Sequence, residues 1–165
     1  MANVTVMGVP VITNQPAALT VTVGHAASFV VGATGWPAVA YQWQLNGGAM
    51  PGATNALLTF SSAFAEGAGF YAVAVTNIYG CVTSVPALLT VLPLAISIPA
   101  GPFNGHFQLM FDTAAGLSYE VRYSTNLVDW YPWLDAFGSG QPFTLSDPNS
   151  GDSTQRFFRV VLTPP

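Results

Sequence analysis

Two stretches decide how this chain is read: Tyr41-Gln42-Trp43-Gln44-Leu45-Asn46-Gly47, and further on Gly69-Phe70-Tyr71-Ala72-Val73-Ala74-Val75-Thr76-Asn77. Side chains alternate between the two faces of a strand, so Tyr41, Trp43 and Leu45 share one face. A tryptophan flanked in this way is suited to fill the space between two sheets. A tyrosine at a strand's start can bury its ring while its hydroxyl finds a backbone partner. Trp43 and Tyr71 are therefore core candidates. Working outward, Leu19 to Val23, Ala27 to Ala33, Ala40 to Leu45, Ala56 to Phe60, Gly69 to Thr76 and Cys81 to Leu92 read as strands. Asn46-Gly47-Gly48, Pro51-Gly52, Gly67 and Asn77 to Gly80 punctuate them as turns.

The second half reads the same way. Leu94 to Ile98, His106 to Thr113, Ser118 to Ser124, Trp130 to Leu134, Phe143 to Leu145 and Arg156 to Leu162 are its strand candidates. Short strands at this spacing, with no sustained helical period, predict an all-β fold of two tandem β-sandwich domains. Pro93 marks the joint. Residues 1–9 form an N-terminal extension, residues 10–92 the first sandwich and residues 93–165 the second.

Pro10 to Leu92 resembles the bacterial immunoglobulin-like domains that recur in large secreted proteins. Besides the two opening stretches, the likeness is carried by Gly24, Ala33-Thr34-Gly35, Pro37, Gly52-Ala53-Thr54, Leu57-Leu58-Thr59 and Val82-Thr83-Ser84. The resemblance implies an immunoglobulin-like sandwich with Trp43 at its centre, Tyr71 as its tyrosine corner, and Val31 and Val73 where such domains carry bridged cysteines. Burying two valines returns roughly 1.5–3 kcal/mol each, against about 2–5 kcal/mol for a native disulfide, so the fold can stand without oxidation. The run Tyr119 to Trp130, followed by Asp147-Pro148 and Arg156 to Val160, is similar to a small β module that closes secreted bacterial proteins; no activity follows from it.

Charge is the unusual feature of the composition. Charged residues make up 6% of the chain, against about 25% in ordinary soluble domains, and there is no lysine. Residues 1–92 hold a single charged side chain, Glu66, while the three arginines and every aspartate lie beyond residue 111. With a net charge of −4, the cationic attraction behind nucleic-acid and anionic-membrane binding is missing. The apolar stretch Val85 to Ala100 is broken by Pro86, Pro93 and Pro99 and is too short for a membrane span. Met1 is not followed by the pattern of a signal peptide. The lone Cys81 has no intrachain disulfide partner and reads as a strand residue.

No constellation for catalysis emerges, and none for a cofactor. Glycoside hydrolysis needs two carboxyls across one bond, but Asp129, Asp135, Asp147 and Asp152 sit in turn-like contexts. The segment Asp147-Pro148-Asn149-Ser150-Gly151-Asp152 offers oxygen ligands without the spacing of a calcium loop, so no metal is expected. His25 and His106 are isolated. Glu120 and Arg122 share a strand face and read as solvated sheet-face charges, with pairing to charges on a neighbouring strand, such as Arg156 or Asp112, as the alternative; Glu120, Asp112 and Asp129 are expected to be dispensable carboxylates.

The expected role is therefore a non-enzymatic extracellular structural protein, a subunit of a surface filament or other homopolymer. A free domain stays soluble through mixed surface charge, and the first domain has almost none. Asn3, Val4, Thr5, Val6, Met7 and Val9 alternate like a surplus strand, suited equally to pairing within their own domain or to an open sheet edge of a neighbouring copy. The alternatives are an adhesion module for a carbohydrate or surface partner, with Trp36, Trp130, Tyr131 and Trp133 as exposed-ring candidates, and spacer domains of a larger surface protein. Asn3-Val4-Thr5 is also an N-glycosylation triplet.

Overall fold

The structure is a computed structural model, and it describes residues 7–98, 106–147 and 155–163. The chain divides into two compact units, Met1–Leu92 and Pro93–Pro165. Among the described residues there is no α-helix; one 3-10 turn, Ala65–Gly67, is the only helical element.

In the first unit the strands are β1 (Val11–Asn14), β2 (Leu19–Thr22), β3 (Ala27–Val30), β4 (Gly32–Thr34), β5 (Ala40–Leu45), β6 (Gly48–Ala49), β7 (Leu57–Phe60), β8 (Gly69–Asn77), β9 (Gly80–Thr83) and β10 (Ala87–Leu92). The larger sheet runs β2-β10-β8-β5-β6, with β9 pairing the far end of β8. Only β2 and β10 are parallel in it. On the other side β3 pairs with β7 and β1 with β4. The strands predicted from sequence are present, with two interruptions. The Ala27-to-Ala33 run divides into β3 and β4 around the buried Val31. The run from Cys81 divides at Ser84-Val85-Pro86, where the hydroxyl of Ser84 takes the place of a backbone acceptor: the Val73 N–H donates to Ser84 Oγ at 3.0 Å. Proline cannot donate to the ladder, so the sheet is interrupted there. β1 and β6 were not expected from the sequence.

The β5–β6 connection shows local sequence setting geometry. Asn46 and Gly47 have φ of 51° and 84°, the positive pair that a two-residue hairpin turn of type I′ requires and that an Asn-Gly dipeptide adopts at least cost. Trp43 and Val73 sit opposite one another on β5 and β8 and neither exposes any surface. Across the sandwich, Phe29 on β3 lies 6.1 Å from Trp43 and stacks on Tyr71 at 4.8 Å. Val31, Leu58, Val75 and Leu89 complete this core.

Tyr71 closes the bottom of the sandwich. Its hydroxyl donates to the carbonyl of Gly67, four residues upstream, at 2.6 Å, and burial pushes its phenol pKa above the ordinary value. Tyr71→Phe keeps the ring and deletes this bond, leaving a partly buried carbonyl unmatched. The expected cost is about 1–2 kcal/mol, read as a lower urea midpoint with an unchanged slope.

The second unit packs two three-stranded sheets. Its strands are β11 (Ile96–Ser97), β12 (Phe107–Phe111), β13 (Ser118–Ser124), β14 (Tyr131–Phe137), β15 (Phe143–Asp147) and β16 (Phe157–Thr163). The sheets are β11-β12-β15 and β14-β13-β16. Tyr119 and Val121 on β13 face Leu109 and Phe111 on β12 in the core. Gly138 follows β14 where backbone passes close by: a Cβ there would lie 2.0 Å from the carbonyl oxygen of Ala114, so only glycine fits.

The N-terminal extension does not continue as a strand into the described chain. Asn3, Val4, Thr5 and Val6 lie outside the described residues, and Met7, Gly8 and Val9 carry no strand pairing. They lie instead against the β8–β9 turn of their own unit, where Asn77 Nδ2 donates to the Gly8 carbonyl at 2.8 Å and the Tyr79 hydroxyl donates to the Met7 sulfur at 3.1 Å.

Candidate functional site

Of the four aspartates read as turn residues, Asp135 and Asp147 belong to strands instead. Asp135 lies exposed within β14, because the apolar run that began at Trp130 continues as strand to Phe137. Asp147 ends β15, with its side chain only 3% exposed. Asp129 does sit in a turn, where Asn126 Nδ2 donates to it at 2.8 Å and Ser124 Oγ accepts from the N–H groups of Asn126 and Leu127. Asp152 and the remainder of the proposed calcium segment after Asp147 lie outside the described residues. No cluster of three or more His, Cys, Asp and Glu side chains able to hold a metal occurs among the described residues.

Glu120 does not pair with Arg156 or Asp112. It accepts from Arg122 Nη2 on its own strand, because residues two apart on a strand share a face and reach each other without crossing the sheet. That hydrogen bond raises the Arg122 pKa above its ordinary value. Directly across from Glu120 stands Asp135, a pairing the sequence reading missed. Both border an open hollow of about 560 Å³. His106 is exposed. His25 is half-buried, and its Nδ1 has no hydrogen-bond partner among the described residues. Cys81 is exposed on β9.

The four exposed-ring candidates fall in three places. Trp36 is 55% exposed in the first unit. Trp130 lies under the Arg159 guanidinium, 4.3 Å from its ring centre. Tyr131 and Trp133 lie on β14, within the strand read from Trp130 to Leu134, and they gather with Tyr123, Phe158, Phe107 and Arg156 at one end of the second sandwich. Tyr123 and Tyr131 are cross-strand partners with ring centres 5.7 Å apart. Trp133 lies 5.1 Å from Phe158, which stacks on Phe107 at 5.3 Å. The Arg156 guanidinium sits 5.9 Å over Tyr123, and its Nη1 donates to both carboxylate oxygens of Asp147 at 3.1 Å. Phe107 and Asp147 belong to one sheet, Phe158 and the segment bearing Arg156 to the other, so the stack and the ion pair together tie the two sheets at this end. Tyr123, Trp133, Arg156 and Phe158 line a small cavity of about 160 Å³. The sequence separates these residues widely, and only strand register brings them together.

In the first unit the outward face of the larger sheet carries Gln42, Gln44, Ala72, Ala74 and the exposed Phe70 and Leu88. It bears no charge. β7 has β3 as its only strand partner among the described residues, and β2 has only β10, so each leaves one edge of uncharged residues without a neighbouring strand.

Against solved structures, this arrangement is similar to the tandem Ig repeats of Dlar, with 25% identity and a TM-score of 0.50 over 54% of this chain and 49% of that one. The first unit is immunoglobulin-like. Titin domain M4 is also similar, at 23% identity and a TM-score of 0.47 over 53% of this chain and 99% of that one, as is titin domain M7 at 27% and 0.45 over 50% and 92%. The chain spans about half the length of the Dlar repeat it matches. No protein-family model matches the chain, and no curated protein matches it. An immunoglobulin-like unit of a kind found in tandem repeats is compatible with a structural or spacer module. No helix among the described residues is long and apolar enough to cross a membrane.

Proposed function

We propose that the chain is a non-enzymatic structural module of an extracellular surface assembly, in which copies join by β-strand addition into a filament or other homopolymer. The observation that carries this reading is the immunoglobulin-like unit's surface, which has one charge in residues 1–92 and open edges at β2 and β7 without lysine or any other charge to guard them. Unpaired edge N–H and C=O groups are templates for another strand, and natural edges are normally blunted by charge or proline. Residues 3–6 are the donor. The bonds from Asn77 and Tyr79 hold the segment that follows them at residues 7–8, so residues ahead of that anchor can reach a neighbouring copy. Head-to-tail repetition of such a contact gives a filament unless the rotation closes a ring. Support for the absence of catalysis is chemical: Glu120 is committed to Arg122 and Asp147 to Arg156.

Deleting residues 2–6 leaves the Gly8–Asn77 bond in place and removes only the donor. Light scattering is expected to show the full chain as a polymer and the truncated chain as a monomer. A truncated chain that polymerises like the full one overturns strand donation, and a full chain that stays monomeric overturns the homopolymer and leaves the spacer role.

A further inference from the structure

We infer that the open end of the second unit's sandwich, lined by Tyr123, Trp133, Arg156 and Phe158, binds one ring of a neutral carbohydrate. Inward-facing residues of β13 and β16 fill the core with Tyr119, Val121, Val160 and Leu162. Beyond Val121 and Val160 the same rows continue as Tyr123, Phe158 and Arg156, and there the core opens into a cavity of about 160 Å³. That is roughly the share of liquid taken by five waters at ~30 Å³ each, and well below the ~300–1,000 Å³ of a pocket for a drug-sized ligand. One small ring fits.

The walls are preorganised. Trp133 is backed by Phe158, and Phe158 by Phe107, so the aromatic surface is already rigid and little side-chain freedom is lost on binding. Arg156 is fixed by Asp147 and lies over Tyr123. Both of its bonds to Asp147 come from Nη1, so Nε and Nη2 are the donors that remain for a ligand.

The charge state selects the ligand class. Arg156 and Asp147 form a pair of zero net charge, which gives an anion little attraction and forces it to compete with a carboxylate for the guanidinium. A cation would meet Arg156 at the wall. A neutral sugar matches both features: its C–H face lies on the aromatic rings and its hydroxyl oxygens accept from the planar guanidinium edge. The inference holds whether or not the chain polymerises.

The test is electrophoresis of the full chain through native gels containing a neutral polysaccharide (β-glucan, mannan, xylan or galactan), with polygalacturonate as the anionic counterpart. Retardation is expected in at least one neutral gel. Trp133→Ala is expected to abolish it. Arg156→Lys keeps a cation for Asp147 and loses the planar fork, and is expected to weaken binding about tenfold, as loss of one charge-assisted hydrogen bond would. Trp130→Ala, under Arg159 and outside the cavity, is expected to leave it unchanged. Melting curves identify any variant that has lost its fold, and Arg156→Lys serves if Trp133→Ala does. The inference is overturned if no neutral gel retards the chain, if only polygalacturonate does, or if folded Arg156→Lys and Trp133→Ala run like the parent.

Discussion

Trp43→Ala is expected to lower the stability of the immunoglobulin-like unit by about 3–5 kcal/mol, which would leave a unit of ordinary stability (about 5–15 kcal/mol) marginal or unfolded. Trp43 exposes no surface, it contacts the opposite sheet through Phe29, and its indole N–H donates to the Asn55 carbonyl at 2.8 Å. Truncation therefore removes a large buried apolar surface, opens a cavity the two sheets cannot close without shifting, and leaves a carbonyl without its donor. Urea unfolding followed by circular dichroism measures it. Trp43→Phe separates the contributions: it keeps most of the ring and loses the hydrogen bond, so it should fall well short of the alanine variant. If the two variants were equally destabilised, the hydrogen bond rather than packing would be the main contribution of Trp43.

Why this much was legible follows from what strand period and turn chemistry encode. Alternation placed Tyr41, Trp43 and Leu45 on one strand face before any pairing was known, and that row packs in the core beside its register partners Val75, Val73 and Tyr71. Asn46-Gly47 marked its hairpin because few other dipeptides take positive φ twice. β1 was missed because Val11-Ile12-Thr13-Asn14 is short, mostly exposed and followed by Gln-Pro, so it has little alternation to read. The charged residues were harder. A carboxylate near Gly or Pro reads as a turn residue, yet Asp147 is drawn into the sandwich because its register partner, Phe107, faces inward and Arg156 arrives from the other sheet. That depends on two long-range pairings that no local pattern contains. The same holds for the cavity residues, which are contributed by β13, β14 and the start of β16. Local sequence specifies faces, while a site made of several strands is specified by register.

The ion pair at this end of the second unit leads to the other large effect. Arg156→Met is expected to destabilise the unit by about 3–5 kcal/mol, and Asp147→Leu by less, because the partners are buried unequally. The Asp147 side chain is 3% exposed and that of Arg156 is 23% exposed. Removing the arginine takes two hydrogen bonds and a positive charge from a carboxylate that water scarcely reaches. Removing the aspartate leaves a guanidinium on a long, flexible stem that can swing toward solvent while its methylenes stay on the aromatic surface. The double variant, Asp147→Leu with Arg156→Met, replaces the pair by apolar groups of similar volume next to Phe107 and Phe158. A buried pair replaced in this way is often neutral or stabilising, so the double variant should recover most of the loss of Arg156→Met. Thermal unfolding of the four proteins measures the coupling directly. Losses that simply add would show that the two side chains act independently. A double variant more stable than Arg156→Met alone is the signature of a pair whose desolvation cost nearly offsets its attraction, retained where its guanidinium edge meets the cavity.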